Sequence, residues 1–193
     1  MLKSFVVFDF DFTLVKTIEK IWVWSPRGDL KFKNKKYFAV HPRDITNIAS
    51  DETIDDNSFK EFFDINIPKS QIIKPTLQHL LYYTEICKEN ITILTARPQS
   101  CENKIIEILR NNGLTTDINV VGLQNSNPYS KIDYINQKID QYQYDMVIVY
   151  EDNLGVIDLI KEKVQAKHIE INFVKNLHNL TKIEYMNYKK NFI

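Results

Sequence analysis

The sequence predicts an α/β fold, namely a three-layer, Rossmann-like sandwich with a mainly parallel five-stranded sheet and a small insertion after the first strand. Short continuous apolar runs alternate with helical stretches, which is the order of right-handed βαβ units. The runs stop abruptly at polar residues, as strands buried on both faces do. With 193 residues, 44% of them hydrophobic, the chain is long enough for one well-buried core. We therefore expect a single domain over residues 1–193.

Five segments have the composition of buried strands. They are SFVVF (4–8), ITIL (91–94), INVVGL (118–123), MVIVY (146–150) and HIEINFV (168–174). Between them, four stretches have the apolar spacing and end signals of helices. The first has Pro75 in its first turn and runs to about Glu89, the second follows Pro98 and ends at Asn112-Gly113, the third opens at Asn127-Pro128 and the fourth follows Asp152-Asn153.

Residues from about 16 to 71 break this alternation, and we interpret them as a cap-like or flap insertion. The stretch IWVWSPRGDLKFK (21–33) is typical of two short strands around a Pro-Arg-Gly-Asp turn. An acidic stretch, SDETIDDNSFKEFFD (50–64), follows it.

Composition excludes several classes of protein. Lys and Arg together number 25, as do Asp and Glu, so any preference for a charged partner must be local. The first residues, MLKSFVVFDFD, place acids directly after a short apolar run, which predicts neither a signal peptide nor a membrane span. We therefore expect a cytoplasmic protein without a membrane partner. Cys87 and Cys101 lie far apart without a His/Cys cluster, which argues against a zinc site and a disulfide framework.

Polar residues follow three of the predicted strands. Asp9 and Asp11 follow the first, Thr95 the second, and Glu151 and Asp152 the fourth. In open parallel sheets the carboxyl ends of the strands form the binding site. Two neighbouring carboxylates repel each other in a partly dry site, and a divalent cation removes that cost. Magnesium prefers oxygen ligands, so we expect Mg²⁺ on Asp9, on a backbone carbonyl near Asp11 and on an acid of the fourth strand.

Four motifs in this order resemble those of the haloacid dehalogenase (HAD) superfamily: FDFDFTLV, ITILTAR, Lys131 and YEDN. The resemblance covers roughly residues 1–15 and 72–175 and leaves the insertion unmatched. It implies that Asp9 is a nucleophile that forms an aspartyl-phosphate. It also implies that Asp11 is the acid/base, which protonates the leaving oxygen and then activates water.

The resemblance assigns the remaining motif residues as well. The hydroxyl of Thr95 would bind a phosphate oxygen, and Lys131 would stabilise the nucleophile and the developing charge. Lys104 is a rival to Lys131, because lysines on helix surfaces are common. Asp9, Asp11, Glu151 and Asp152 would form the metal site, with Asp152 as the preferred direct ligand.

Four residues are assigned to substrate binding: Thr13, Arg97, Trp22 and Arg27. For Arg97, a surface ion pair is an equal alternative. The sequence departs from the family pattern at two positions. Phe12 stands where Gly is common, which puts the usual tight turn in question, and Glu151 stands where Asp is common.

The sequence therefore predicts an Mg²⁺-dependent phosphomonoester hydrolase. Residues between Lys16 and Arg43 mix basic and aromatic side chains, which is typical of nucleic-acid surfaces. This favours nucleotides or phosphorylated nucleic-acid ends as substrates, whereas a solvated hairpin is the plainer interpretation. A small-molecule (sugar phosphate) phosphatase and a non-catalytic HAD-fold binding module are the alternatives. The oligomeric state is not predicted.

Overall fold

The structure is a computed structural model that describes residues 3–17, 21–29, 35–40, 49–54, 71–125 and 127–175. The strands in these ranges are β1 (Ser4–Phe8), β2 (Val15–Lys16), β3 (Ile21–Asp29), β4 (Lys35–Val40), β5 (Thr53–Ile54), β6 (Gln71–Ile72), β7 (Ile91–Thr95), β8 (Asn119–Gly122), β9 (Met146–Glu151) and β10 (His168–Phe173). The α-helices are α1 (Lys74–Ile86), α2 (Glu102–Arg110), α3 (Pro128–Tyr142) and α4 (Leu154–Lys163).

Five strands form an all-parallel central sheet in the order β10-β9-β1-β7-β8. The predicted fold class is therefore confirmed. The chain moves outward from β1 through β7 to β8, and then returns to the other side of β1 to form β9 and β10. At such a reversal the loops on the two sides of the central strand separate and leave a crevice.

Helices cover both faces of this sheet. Val6 and Phe8 of β1 pack in one apolar cluster with residues of α1 and α2. Phe5 and Val7, which point to the opposite face, pack in a second cluster with residues of α3 and α4. Because successive side chains of a strand alternate between faces, a strand buried on both sides must be apolar throughout. This explains the continuous apolar runs of the sequence.

The insertion leaves and rejoins the central fold at one place. Strands β2 and β6 form a short antiparallel ladder that joins Val15 to Ile72 and Lys16 to Gln71. The N–H of Ile73 also donates to the carbonyl of Leu14 at 2.9 Å. The described part of the insertion forms a separate three-stranded sheet in the order β4-β3-β5.

The predicted turn at residues 26–29 is wrong. Strand β3 continues through these residues to Asp29, which pairs with Lys35, and the register shifts between Trp24 and Asp29. Gly28 has a φ of 68°, which glycine adopts without steric cost. Pro26 and Gly28 thus belong to an irregularity within the strand, where proline is tolerated. The predicted second strand, residues 30–33, lies outside the described residues.

No helix in the described part of the chain is long and apolar enough to cross a membrane. Both cysteines are free thiols, and Cys101 is buried in the core.

A close backbone contact joins the end of β8 to the loop after β7. The N–H of Gly122 donates to the side chain of Gln99 at 2.8 Å, and that side chain in turn donates to the carbonyl of Val120 at 3.1 Å. The N–H of Gln124 donates to the carbonyl of Arg97 at 3.1 Å. This contact fixes the path of residues 95–99 at the edge of the sheet.

We expect Gly122→Ala to destabilise the fold. A Cβ at this position would lie 2.4 Å from the carbonyl carbon of Pro98 and 2.5 Å from the nitrogen of Gln99, so the loop backbone must move. Overpacking of this kind costs about 1–3 kcal/mol of unfolding free energy, which urea denaturation followed by circular dichroism measures. In the control Gly155→Ala, the nearest atom to the new Cβ is a side-chain oxygen at 3.3 Å, and the change should stay within about 1 kcal/mol. Equal losses in the two variants would contradict the contact.

Candidate active site

The candidate site lies at the carboxyl edge of the central sheet, where β1 ends between β9 and β7. Asp9 follows β1 directly, and its N–H donates to the carbonyl of Tyr150 at 2.9 Å. This bond extends the pairing of β1 with β9 by one residue. Asp9 therefore lies beside Glu151 and Asp152, which follow Tyr150 along the chain.

Lys131 reaches this edge from the first turns of α3. Its Nζ donates to Oδ1 of Asp9 and to Oε2 of Glu151, both at 2.7 Å. Asn127 caps the helix through its side-chain oxygen, which accepts from the N–H of Tyr129 at 3.1 Å. The rival Lys104 instead lies on the surface of α2, where it forms an ion pair with Glu107 at 3.8 Å. The structure thus places Lys131, and not Lys104, at the predicted site.

Burial controls the charges of these groups. It raises the pKa of Asp9 to about 7, against the opposing effect of Lys131. Burial also raises the pKa of Glu151. For Lys131 burial alone would lower the pKa, but Asp9 and Glu151 together raise it above the ordinary value for lysine. The ammonium therefore stays charged, whereas the carboxylates are held ionised only at a cost.

Asp9, Glu151 and Asp152 form a group that fits a hard divalent cation. Carboxylate oxygens of the three lie within 4.8 Å of one another, and all three residues are buried. When all three carboxylates are ionised, they and the ammonium of Lys131 together carry two net negative charges. An all-oxygen donor set of this charge matches the chemistry that Mg²⁺ prefers. The side chain of Asp11 is outside this group, and metal binding by its backbone carbonyl stays a prediction.

The side chain of Glu151 is held by hydrogen bonds within the protein. Oε1 of Glu151 accepts from the backbone N–H groups of Asp152 and Asn153, at 3.2 and 3.0 Å, while Oε2 accepts from Lys131. Both oxygens of Glu151 thus have protein donors. The longer side chain at this position holds Lys131 and the turn into α4. That Asp152 is the direct ligand of a cation stays a prediction.

Asp11 makes a bidentate ion pair with Arg97. Nε of Arg97 donates to Oδ2 of Asp11 at 2.9 Å, and a terminal nitrogen donates to Oδ1 at 2.7 Å. The Arg97 side chain is fully buried, whereas that of Asp11 is 23% exposed. This pair is therefore not the surface ion pair considered from the sequence. Arg97 contacts the predicted acid/base directly, and its contact with a substrate stays a prediction.

Thr95 and Thr13 are both buried. In the sequence, Thr95 precedes Arg97 by two residues and Thr13 follows Asp11 by two. The hydroxyl oxygen of Thr95, at the end of β7, accepts from the N–H of Arg97 at 3.2 Å. The hydroxyl of Thr13 is buried without a hydrogen-bond partner among the described residues. Leaving a buried hydroxyl unpaired costs about 1–3 kcal/mol. Binding of substrate by Thr13 and of a phosphate oxygen by Thr95 stay predictions.

The turn after Asp9 forms despite the bulky residue at position 12. Phe12 has a φ of 63°, and its N–H donates to the carbonyl of Val15 at 2.7 Å. The left-handed conformation costs a non-glycine residue about 1–2 kcal/mol. The ring is buried, however, and burying a Phe side chain contributes about 1.5–3 kcal/mol. Packing of the ring therefore offsets the backbone strain that glycine would avoid.

Trp22 and Arg27 belong to the insertion and not to the strands of the central sheet. Both belong to β3 of the three-stranded sheet, and Arg27 pairs with Asp51. Trp22 is exposed to solvent. Any role of these two residues in substrate binding stays a prediction.

Sequence reasoning missed three residues that position the site. Gly122 and Gln99 fix the loop that carries Arg97. Asn153 caps α4, since its side-chain oxygen accepts from the N–H of Gly155 at 2.9 Å. An Asn directly before an apolar helical stretch is a usual cap, so Asn153 had a signal. Gly122 and Gln99 had none, because their contact depends on how two loops meet.

A comparison of the chain with protein-family models, with curated proteins and with solved structures finds no match in any of the three.

We expect Lys131→Met to destabilise the fold in a pH-dependent way in metal-free buffer. Removing the ammonium leaves Asp9 and Glu151 buried beside each other without a cation, which costs about 3–5 kcal/mol. The folded-state pKa values of both carboxyl groups then lie further above the unfolded values of about 4. Between the unfolded and the folded pKa values, the folded chain binds more protons than the unfolded chain. The free energy of unfolding therefore falls as pH rises through this range.

Relative to the wild type, Lys131→Met should thus lose more unfolding free energy at pH 8 than at pH 5. Urea titrations at pH 5 and at pH 8 measure this difference. Lys104→Met is the matched control, since a surface ion pair contributes about 0–1 kcal/mol. A loss for Lys131→Met that is the same at both values would show that charge burial is not its cause.

Proposed function

We propose that this protein is an Mg²⁺-dependent phosphomonoester hydrolase of the HAD type, with Asp9 as the nucleophile. One observation carries the proposal: Lys131, Asp9, Glu151 and Asp152, which come from three separate segments, converge at the carboxyl edge of the sheet beside β1. Asp9 and Glu151 already balance the charge of Lys131, so this ion pair by itself does not indicate a phosphate site. Together with a third carboxylate, it forms a site for a cation and a phosphoryl group.

In the first step a carboxylate oxygen of Asp9 attacks the phosphorus atom, and the bond from phosphorus to the leaving alcohol breaks. Lys131 holds Oδ1 of Asp9 at 2.7 Å, which orients the carboxylate and leaves Oδ2 for attack. The product is an aspartyl-phosphate, a covalent intermediate that divides one difficult displacement into two easier ones. The leaving oxygen takes a proton from Asp11.

In the second step Asp11 takes a proton from water, which attacks the phosphorus and releases inorganic phosphate and Asp9. The ion pair with Arg97 favours the ionised form of Asp11, which is the form this step needs. It opposes the protonated form that the first step needs. Arg97 thus suits the hydrolysis of the intermediate better than the expulsion of a poor leaving group.

A bound Mg²⁺ supplies two positive charges that favour the ionised form of Asp9 and polarise a phosphoryl oxygen. Asp9 and Asp152 would hold it, with Glu151 supporting the turn that carries Asp152. The chemistry requires this charge, because burial, together with the neighbouring Glu151 and Asp11, raises the pKa of Asp9 to about 7 even though Lys131 lowers it. A carboxylate that is partly protonated at neutral pH is a poor nucleophile.

The second candidate function is a HAD-type binding module without turnover. The Asp11–Arg97 ion pair favours it, because an acid/base held by a buried guanidinium transfers protons with difficulty. The assay below decides between the two candidates.

We expect Asp9→Asn to abolish phosphate release, measured with p-nitrophenyl phosphate and Mg²⁺. The amide keeps the shape of the carboxylate but does not attack phosphorus, so kcat should fall by about 10⁴-fold or more. Asp133→Asn, which changes an exposed residue of α3, is the control and should leave kcat unchanged. Wild-type protein that releases no phosphate from any phosphomonoester, with the fold verified by circular dichroism, would favour the binding module.

We expect EDTA to abolish activity and Mg²⁺ to restore it, with Asp152 as the more important side chain for the metal. Asp152→Asn should raise the Mg²⁺ concentration for half-maximal activity more than tenfold, about the scale at which metal sites respond to ligand changes. Glu151→Gln should raise it less, because both oxygens of Glu151 already have protein donors. Calorimetric titration with Mg²⁺ checks the ranking without activity, and the reverse order would make Glu151 the direct ligand.

A further inference from the structure

Strand β10 forms one edge of the central sheet, and no strand in the described part of the chain pairs with its outer side. The N–H of His168 donates to the carbonyl of Asp145 at 3.1 Å, and the N–H of Val174 donates to the carbonyl of the last residue of β9 at 2.9 Å. The even-numbered residues of β10 thus direct their backbone groups towards β9. Because these groups alternate between the two sides of a strand, the odd-numbered residues direct theirs outward.

The outward backbone groups belong to three apolar residues, namely Ile169, Ile171 and Phe173. No hydrogen bond to these groups comes from another residue of the described ranges. The side chains of Ile169 and Ile171 are half-buried on the face of α3 and α4, and Phe173, on the same face, is 39% exposed. An edge of this kind is a template for a further strand, which would pair the backbone groups and cover the apolar side chains.

We infer that β10 pairs with β10 of a second copy of this chain, antiparallel about a two-fold axis at Ile171. In this register Ile171 lies opposite the partner's Ile171, and Ile169 lies opposite the partner's Phe173. Apolar side chains therefore meet on one face, and the outward backbone groups of both strands pair with each other. The two five-stranded sheets become one sheet of ten strands.

The polar face of β10 is complementary to itself in the same register. Glu170 lies opposite the partner's Asn172, and an amide N–H₂ is a donor for a carboxylate. Within one copy these two side chains already interact, since the amide of Asn172 donates to Oε1 of Glu170 at 3.0 Å. No like charges face each other between the two strands. This self-complementarity favours a second copy over an unrelated strand as the partner.

The neighbouring registers are less favourable. Residues that face each other must point to the same side of the sheet, so the axis can move only from one residue of β10 to the next. With the axis at Glu170, two carboxylates would lie opposite each other, which is destabilising. With the axis at Asn172, the charged Lys175 would lie opposite the partner's Ile169.

One pair of like charges flanks the strand in the inferred register, where Lys175 faces the partner's Lys167. Asp145 already balances the charge of Lys167, at 2.6 Å. Both lysines are exposed, so solvent and salt screen their repulsion.

The oligomeric state of the full chain tests the inference, and sedimentation velocity measures it. We expect a dimer at protein concentrations up to about 100 µM, which detects a Kd of that order. Ile171→Lys and Ile171→Glu each place two like charges at the axis and remove two apolar side chains, so each should raise the Kd of the dimer more than about tenfold. Circular dichroism verifies that the variants fold.

Mixing the two variants in equal amounts should restore a dimer, because opposite charges then face each other at the axis. Tyr82→Lys is the matched control, since it places a charge on a residue of α1 that is 58% exposed. This variant should leave the Kd of the dimer unchanged.

A cysteine variant tests the register even if a charge at position 171 impairs folding. Facing residues of a hydrogen-bonded pair have Cα atoms about 5.5 Å apart, which is within the range of a disulfide. Oxidation of Ile171→Cys should therefore cross-link the two copies, as a non-reducing gel shows. In the control Glu170→Cys, the two substituted positions lie diagonally, about 8 Å apart, so cross-linking should not exceed that of the wild type with Cys87 and Cys101.

Three outcomes would overturn the inference. They are a wild type that is monomeric throughout the concentration range, folded charge variants whose dimer is as stable as that of the wild type or does not return on mixing, and equal cross-linking at positions 170 and 171. None of these measurements depends on hydrolysis of phosphate, so the inference and the proposed function stand or fall separately.

Discussion

The candidate site depends on the balance of charges buried at one edge of the sheet. Three carboxylates lie there within 4.8 Å of one another, and such groups are costly to bury unless cations compensate them. Lys131 compensates part of this charge from within the protein. When the carboxylates are ionised, two negative charges remain, and the group could hold a metal ion.

A second, separate pair of buried charges lies beside the first. Arg97 is fully buried, and its two hydrogen bonds to Asp11 fix both side chains. The loop that carries Arg97 is itself fixed by the close contact with Gly122. A glycine at the end of an outer strand therefore bears on the orientation of an acid that follows the central strand. The path runs through backbone contacts, which leave little freedom for adjustment.

The short ladder of β2 and β6 and the hydrogen bond from Ile73 to Leu14 join the ends of the insertion to the central fold. This attachment places the start of the insertion next to the turn that contains Asp11 and Phe12.

The sequence by itself determined the five strands of the central sheet and the position of Asp9, because strands buried on both faces must be continuously apolar and their ends must become polar. It also determined the start of α3, since Asn127-Pro128 is a local signal. Only the tertiary structure decided which lysine meets Asp9, what Arg97 contacts and where the hairpin turns. Lys131 and Asp9 are separated by 122 positions and Arg97 and Asp11 by 86, so packing of distant segments sets these contacts. The path of β3 through residues 26–29 depends likewise on its pairing with β4, and cross-strand pairing can override the local preference of Pro and Gly for turns.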